Sequence, residues 1–397
     1  MRRSAATRLL VALAVLAALI GSGLAAAPAQ ASTAPALPSP QFYFYPEAKW
    51  AAETEVNGVP WVTPDLPTAY VGASPLYREG AAKILVFASN KLFQTPISND
   101  PYTQAVAAGW IAAGTGPTST ITVGDFDRGI VSMLGLMPTA DQYYGLRNAS
   151  GFRPAIPFAF GAEQIVRKLG LRVNAPTGQD NWEQWPTQTL MREEAAVEAY
   201  GLAHMPSWAI SYAQSEADVA SVPDALPTWS PLTEQVLSEA IHYAGAPYVW
   251  GGTSDQPQAL FGHVAAGGFD CSGFVWWIYR YHNYRLANGT LWNAANIITQ
   301  RTTYGMAETL PVAKRIPYAD LKPGDILFWD TNSTPDTKGV WTDWTAIGHT
   351  GIYLGNGWAI DSIGYEDGVS IDNMSQASGG WWYSQFAFGW RVLPAGQ

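Results

Sequence analysis

One cysteine stands in the 397-residue chain, at position 271. Around it runs Phe269-Asp270-Cys271-Ser272-Gly273-Phe274-Val275-Trp276-Trp277-Ile278-Tyr279, which reads as a loop turning into a helix. Gly267-Gly268 interrupt regular structure before it, and Phe274, Val275, Ile278 and Tyr281 recur at helical spacing after it. A thiol in the first turn lies among unpaired backbone N–H groups at the positive end of the helix dipole. Such a place lowers a thiol's pKa and makes its thiolate a nucleophile at neutral pH. The other reading is a buried, inert thiol, the commoner fate of a lone cysteine.

A nucleophile of this kind needs a base to take its proton and a third group to orient the base. The C-terminal part of the chain offers His242, His263, His282 and His349. His242 adjoins the end of a preceding helix, and His263 lies in a glycine-bearing loop. His282 follows Cys271 on the same helix by three turns, about 16 Å along the axis, and cannot reach it. His349 opens a strand. With Gly355-Asn356-Gly357 as a three-residue hairpin loop, Leu354 pairs with Trp358 and Gly351 faces Asp361. His349 and Asp361 are then diagonal neighbours on one sheet face. A two-residue loop would turn Asp361 to the other face. We expect the three-residue loop and a Cys271–His349–Asp361 constellation.

The elements that would position these groups can be read in order. Residues 1–31 have the form of a secretory signal: Arg2, Arg3 and Arg8, the apolar run Leu9 to Leu24, and Ala29-Gln30-Ala31. A proline-rich linker covers 32–40, and a mainly helical domain runs over 41–220. Gly135, Gly170 and Gly201, spaced 35 and 31 residues apart, each follow an apolar-periodic run and are expected as left-handed helix caps. Thr122 and Thr189 are the expected N-caps. Residues 221–230 read as a second linker, and 231–397 as the domain carrying the cysteine. There Ser230 and Pro231 open a helix with Leu232, Val236, Ala240 and Tyr243 as its buried stripe. Strands follow at Ile326–Trp329, His349–Leu354, Trp358–Ile363, Val369–Ile371 and Ala387–Val392. Helices first and a small antiparallel sheet afterwards give an α+β fold. Stretches 253–269, 284–320 and 331–345 are expected as loops, long ones being frequent binding elements.

Bulk properties narrow the function. Loss of residues 1–31 would remove three Arg and no acid, taking the net charge from −10 to −13. A surface so acidic argues against nucleic acid as a partner. Past that leader, no stretch approaches the ~20 apolar residues of a membrane span, so a secreted protein without a span is expected. A single cysteine forms no intrachain disulfide and excludes cysteine-pair metal sites, and the five His show no HExxH or HxH spacing. No metal and no cofactor is expected. With 18 Trp and few charges, the chain can fill a core and line a cleft with rings.

Four phrases, in this order, resemble the NlpC/P60 cysteine peptidases. They are Pro247-Tyr248-Val-Trp-Gly-Gly252, Asp270-Cys271-Ser272-Gly273-Phe-Val275, Pro323-Gly324-Asp325-Ile-Leu-Phe-Trp329 and Gly348-His349-Thr-Gly-Ile-Tyr-Leu-Gly355. The resemblance covers about 231–397. It implies a papain-like fold and a secreted enzyme that cuts peptidoglycan stem peptides, typically between D-glutamate and a diamino acid. On it, Cys271 matches the nucleophile, His349 the base and Asp361 the third polar residue, a position more often held by His, Asn or Gln. The other reading of Asp361 is a structural carboxylate, with water orienting His349. Tyr248 matches a tyrosine lining the active site, where its OH would assist an oxyanion hole beside the Cys271 N–H. Asp270 and Ser272 would meet the stem peptide's amino end, or else Asp270 only caps the helix.

The phrase from Thr122 to Leu136, with Met191-Arg-Glu-Glu-Ala-Ala196, resembles S-layer-homology-like modules of secreted bacterial wall proteins. That implies attachment to cell-wall polymer, the alternative being a helical spacer. Two rival functions stand beside the peptidase: a non-catalytic wall-binding module, and an amidase or acyltransferase on the same fold.

Overall fold

The structure is a computed structural model that describes residues 45–63, 74–114, 116–157, 159–218, 226–331, 347–364, 368–375 and 380–395. The expected signal at 1–31, the linker at 32–40, residues 221–225 of the second linker and nearly all of the 331–345 loop lie outside the described residues.

The first part is helical, with α1 (Tyr45–Glu53), α2 (Arg78–Phe93), α3 (Pro101–Ala107), α4 (Val123–Met133), α5 (Met137–Tyr144), α6 (Phe160–Lys168), α7 (Arg192–Ala203) and α8 (Ala209–Asp218). Thr122 caps α4 by accepting the Asp125 N–H at 3.2 Å. Gly135 and Gly170 take the left-handed conformation just past α4 and α6. Gly201 does not. It lies inside α7, where an added Cβ would stand 2.7 Å from a Leu171 methyl, so this glycine permits a close approach and caps nothing. Thr189 is likewise no cap: it bridges to Thr122, and α7 opens two residues later at Met191 without a side-chain cap. Two charged residues of the phrases 122–136 and 191–196, Asp127 and Glu193, turn inward and are buried together with Glu198 and Arg172, and this polar interior pushes the Asp127 carboxyl well above its usual range, chiefly through burial.

From Ser230 the chain builds the part that carries the cysteine. Ser230 caps α9 (Pro231–His242), whose apolar stripe is buried as the pattern required. The Cys271 helix, α10, spans Cys271–Trp276 and loosens into a wider π turn over Trp277–Tyr281. The expected loop at 284–320 is more structured than its sequence suggests. It holds a short hairpin (Tyr284–Arg285 with Leu291–Trp292) and α11 (Thr303–Thr309), too brief to show a period.

Five antiparallel strands form the sheet: β1 (Ile326–Asp330), β2 (Ile347–Gly355), β3 (Trp358–Ile363), β4 (Gly368–Asn373) and β5 (Phe386–Trp390), in the order β4-β3-β2-β1-β5. Apart from Gly348 and the end of β3, the central strands are buried on both faces. The β2–β3 tip differs from expectation in an instructive way. Its loop has two residues, Asn356 and Gly357, both left-handed, and Gly355 pairs with Trp358. A bulge at Leu354 absorbs the extra residue, so Gly351 still faces Asp361.

The helical part and the sheet share one continuous apolar core. Helix α6 lies along the edge strand β4, where the Ile371 N–H donates to Gln164 Oε1 at 3.0 Å and Arg167 donates to the Gly245 carbonyl at 3.0 Å. Lys168 forms a buried ion pair with Asp372.

Candidate active site

Asp270 begins the site. Its Oδ1 accepts the Gly273 N–H at 2.6 Å, the N-cap bond that starts α10, and the Ser272 hydroxyl at 3.0 Å. Its Oδ2 accepts the Gly251 N–H at 3.0 Å. Arg301 lies across both oxygens at 3.1 Å and also donates to Ser272 Oγ at 2.6 Å and to the Gly251 and Gly252 carbonyls. Gly273 is dictated by space, because a Cβ there would fall 1.8 Å from the Gly252 carbonyl oxygen. The loop 251–252 and the first turn of α10 are thus pinned together, with Cys271 as the first helical residue.

Cys271 is 9% exposed, and its Sγ lies 3.4 Å from Thr303 Oγ1 at the start of α11. Tyr248 adjoins it. Burial, followed by electrostatic repulsion from the Cys271 and Asp270 side chains, pushes the Tyr248 phenol far up, so its O–H remains a donor through the neutral range.

α10 packs on β2 and β3, the strands that hold the other two residues. His349 is 5% exposed, and its Nε2 meets Asp361 Oδ1 at 3.1 Å. The two stand on adjacent strands as diagonal neighbours, the arrangement expected from the hairpin. Gly351, directly opposite Asp361, provides the room: a Cβ there would sit 2.7 Å from the Asp361 Cβ. Trp329 and Trp382 flank the imidazole with ring centroids at 5.3 and 5.4 Å, and the Trp329 indole N–H donates to the Trp382 carbonyl. With Nε2 turned to Asp361, Nδ1 is the nitrogen left to receive a proton.

Asp361 is fully buried, and burial, reinforced by Asp372, pushes its carboxyl well above the usual range while Lys168 opposes the shift. Its Oδ2 has no hydrogen-bond partner among the described residues.

The other three histidines of the C-terminal part are engaged elsewhere. His263 pairs with Asp180 of the helical part at 2.9 Å, His282 with Glu239 at 3.2 Å, and exposed His242 lies edge-on to Tyr243. Sequence reasoning did not single out Arg301, Thr303, Trp382 or Lys168. Only the threonine pair at 302–303 carried a signal, as a helix start: Thr302 caps α11. Among the described residues no cluster of His, Cys, Asp and Glu could hold a metal ion, and no helix is long and apolar enough to cross a membrane.

Residues 245–388 match the NlpC/P60 family. Over 156 residues the chain is 30% identical to the bifunctional muramidase/DL-endopeptidase CwlT of Bacillus subtilis, covering 39% of this chain and 36% of that one. It is 32% identical over 130 residues to the peptidoglycan DL-endopeptidase CwlO of Bacillus licheniformis, covering 33% of this chain and 22% of the relative. The match therefore spans about a third or less of these relatives' own length. Among solved structures, the peptidoglycan hydrolase RipB of Mycobacterium tuberculosis is similar with a TM-score of 0.28 and 24% identity, covering 44% of this chain and 71% of that one. The four ordered phrases, the helix-borne cysteine and the antiparallel sheet agree with the family match: residues 245–388 are an NlpC/P60 domain.

Proposed function

We propose that this protein is a secreted thiol peptidase that hydrolyses peptidoglycan stem peptides, at the bond between D-glutamate and the diamino acid. The observation that carries the reading is the His349 Nε2–Asp361 Oδ1 contact of 3.1 Å, on a sheet packed against the helix that begins with Cys271. The endopeptidase names of the relatives support the substrate class.

In this reading Cys271 attacks the scissile carbonyl carbon and His349 Nδ1 takes the thiol proton. Asp361 holds the ring and stabilises the imidazolium. The Cys271 N–H and the Tyr248 hydroxyl face the developing oxyanion. His349 returns the proton to the departing amine, and water then attacks the thioester, restoring the thiol. Ser272 and Asp270 border the amino end of the stem peptide. The acidic charge, the leader-like residues 1–31 and the absence of any long apolar helix among the described residues fit action outside the cell, at the wall. The helical part would present the site to wall polymer.

Digestion of purified muropeptides by wild type beside Cys271→Ala tests this. The expected result is separated stem fragments from wild type and a loss of at least ~10³-fold in the variant. Equal product from both ends the assignment.

A further inference from the structure

The site has a neighbour that the family match does not include. Position 168 lies well outside 245–388, yet its ammonium reaches the polar layer beneath the imidazole. Asp361 on β3 pairs across the ladder with Ser370 on β4. Ser370 Oγ donates to Asp372 Oδ2 at 2.8 Å, and Asp372 Oδ1 takes the ion pair from Lys168. The side chains of Lys168 and Asp372 are 2% and 0% exposed, so water screens none of this. The ammonium is also fixed in place. Gln164 and Arg167 of the same helix are bonded to Ile371 and Gly245, and a Cβ on Gly368 would collide with the Ala246 carbonyl and the Arg167 guanidinium.

We propose that Lys168, contributed by the helical part, is a positioning residue of the thiol site: through Asp372 it sets the charge on Asp361 and hence the pH range in which His349 is held for proton transfer. This rests on the peptidase reading above.

Among the described residues, the charged groups around Asp361 come from four elements. β2 contributes His349, β4 Asp372, and α6 Lys168, with Arg167 and Glu163 paired to each other at 3.5 Å on that helix. α10 contributes Cys271, its only titratable residue. Two buried carboxylates thus share one ammonium. Removing the ammonium leaves two like charges in a dry layer, and Asp361 keeps its proton to higher pH. Removing the Asp372 charge gives the ammonium to Asp361 alone, which then ionises at lower pH. The two substitutions must act in opposite directions.

The test is kcat/KM against pH on a purified muropeptide, for wild type, Lys168→Met, Lys168→Arg, Asp372→Asn and Cys271→Ala. The acid limb is expected to move up by about one unit in Lys168→Met and down by a similar amount in Asp372→Asn. It should stay near wild type in Lys168→Arg, with KM little changed throughout. A merely structural Lys168 would lower activity without opposed shifts. Coincident limbs, or limbs moving the same way, overturn the assignment. Should thermal melts show that Lys168→Met does not fold, Asp372→Asn decides: a limb that stays or rises overturns it. With wild type active and Cys271→Ala dead, coincident limbs sink only Lys168. Wild type no better than Cys271→Ala sinks the peptidase reading and this assignment with it.

Discussion

The Asp270 corner and the Asp361 corner of the site are built from different kinds of contact. Asp270 has four donors on two oxygens, from Gly273, Ser272, Gly251 and Arg301, all within about 31 residues of it in sequence. Asp361 is deeper, spends one oxygen on His349 and keeps the other without a hydrogen bond among the described residues. The cation that opposes its shift comes from another part of the chain, Lys168 lying 204 residues from the aspartate that links them. A saturated carboxylate fixes geometry and little else. A carboxylate left short of partners in a dry layer is sensitive to each surrounding charge. On the peptidase reading Asp361 acts on His349, while the first task of Asp270 is to hold the opening turn of α10.

Four measurements test that contrast. The largest effect is expected from Asp361→Ala: a fall in kcat/KM of ~10²–10⁴-fold, with stability within about 1 kcal/mol of wild type, because a partly unpartnered buried carboxylate contributes little to folding. Urea titration and muropeptide kinetics on the same preparation check both halves. In Asp270→Ala the loss of stability should lead. The substitution strips the α10 cap and leaves Arg301 without its carboxylate, costing about 2–4 kcal/mol of unfolding free energy. If Asp270→Ala were as stable as wild type, the architectural reading of that corner would be wrong. Next comes pH. Because the folded protein holds the Asp361 proton more tightly than the unfolded chain does, Asp361's contribution to stability is fully present below about pH 4 and is lost as pH rises toward its raised value. Asp361→Asn should therefore gain on wild type as pH rises, by at most ~1.4 kcal/mol per unit. Melts at pH 4, 5 and 6 would show it, and a constant difference would contradict it. The smallest effect is expected from Thr303→Val, which removes the hydroxyl 3.4 Å from the sulfur: about 3- to 10-fold in kcat/KM, with no change in the melt.

The same contrast explains what could be read from the amino-acid sequence. Cys271, its helix, its Asp270 cap and the Ser230–Pro231 start of α9 announce themselves locally, by residue type and spacing within a turn or two. The His349–Asp361 relation was legible one step further out, because a hairpin's register can be counted from its loop. Even so, the tip has a two-residue turn and the bulge at Leu354 restores the count, and nothing in Tyr353-Leu354-Gly355 marks a bulge. Arg301, Thr303 and Trp382 were not legible, since each reaches the site by tertiary packing from a stretch without distinctive period; Lys168 ends a helix whose apolar period is legible, but its partner Asp372 lies 204 residues away and only the fold brings them together. Gly201 was misplaced for a related reason. A glycine that ends a helix and a glycine that lets two elements touch look alike until the neighbour, here Leu171, is known.

The contact of α6 with β4 has a consequence for anyone dividing this molecule. Gly245 and Ala246 pair with Val369 on the outer edge of β4, and Gln164 occupies the next outward N–H, that of Ile371, so the helix covers the part of the edge that would otherwise be free to recruit strands from other chains. A fragment trimmed to residues 245–388 would bare the Ile371 part of that edge and strand Asp372 without its counter-ion. Such a piece is expected to self-associate when expressed alone, and the helical part supplied in trans should dissolve it.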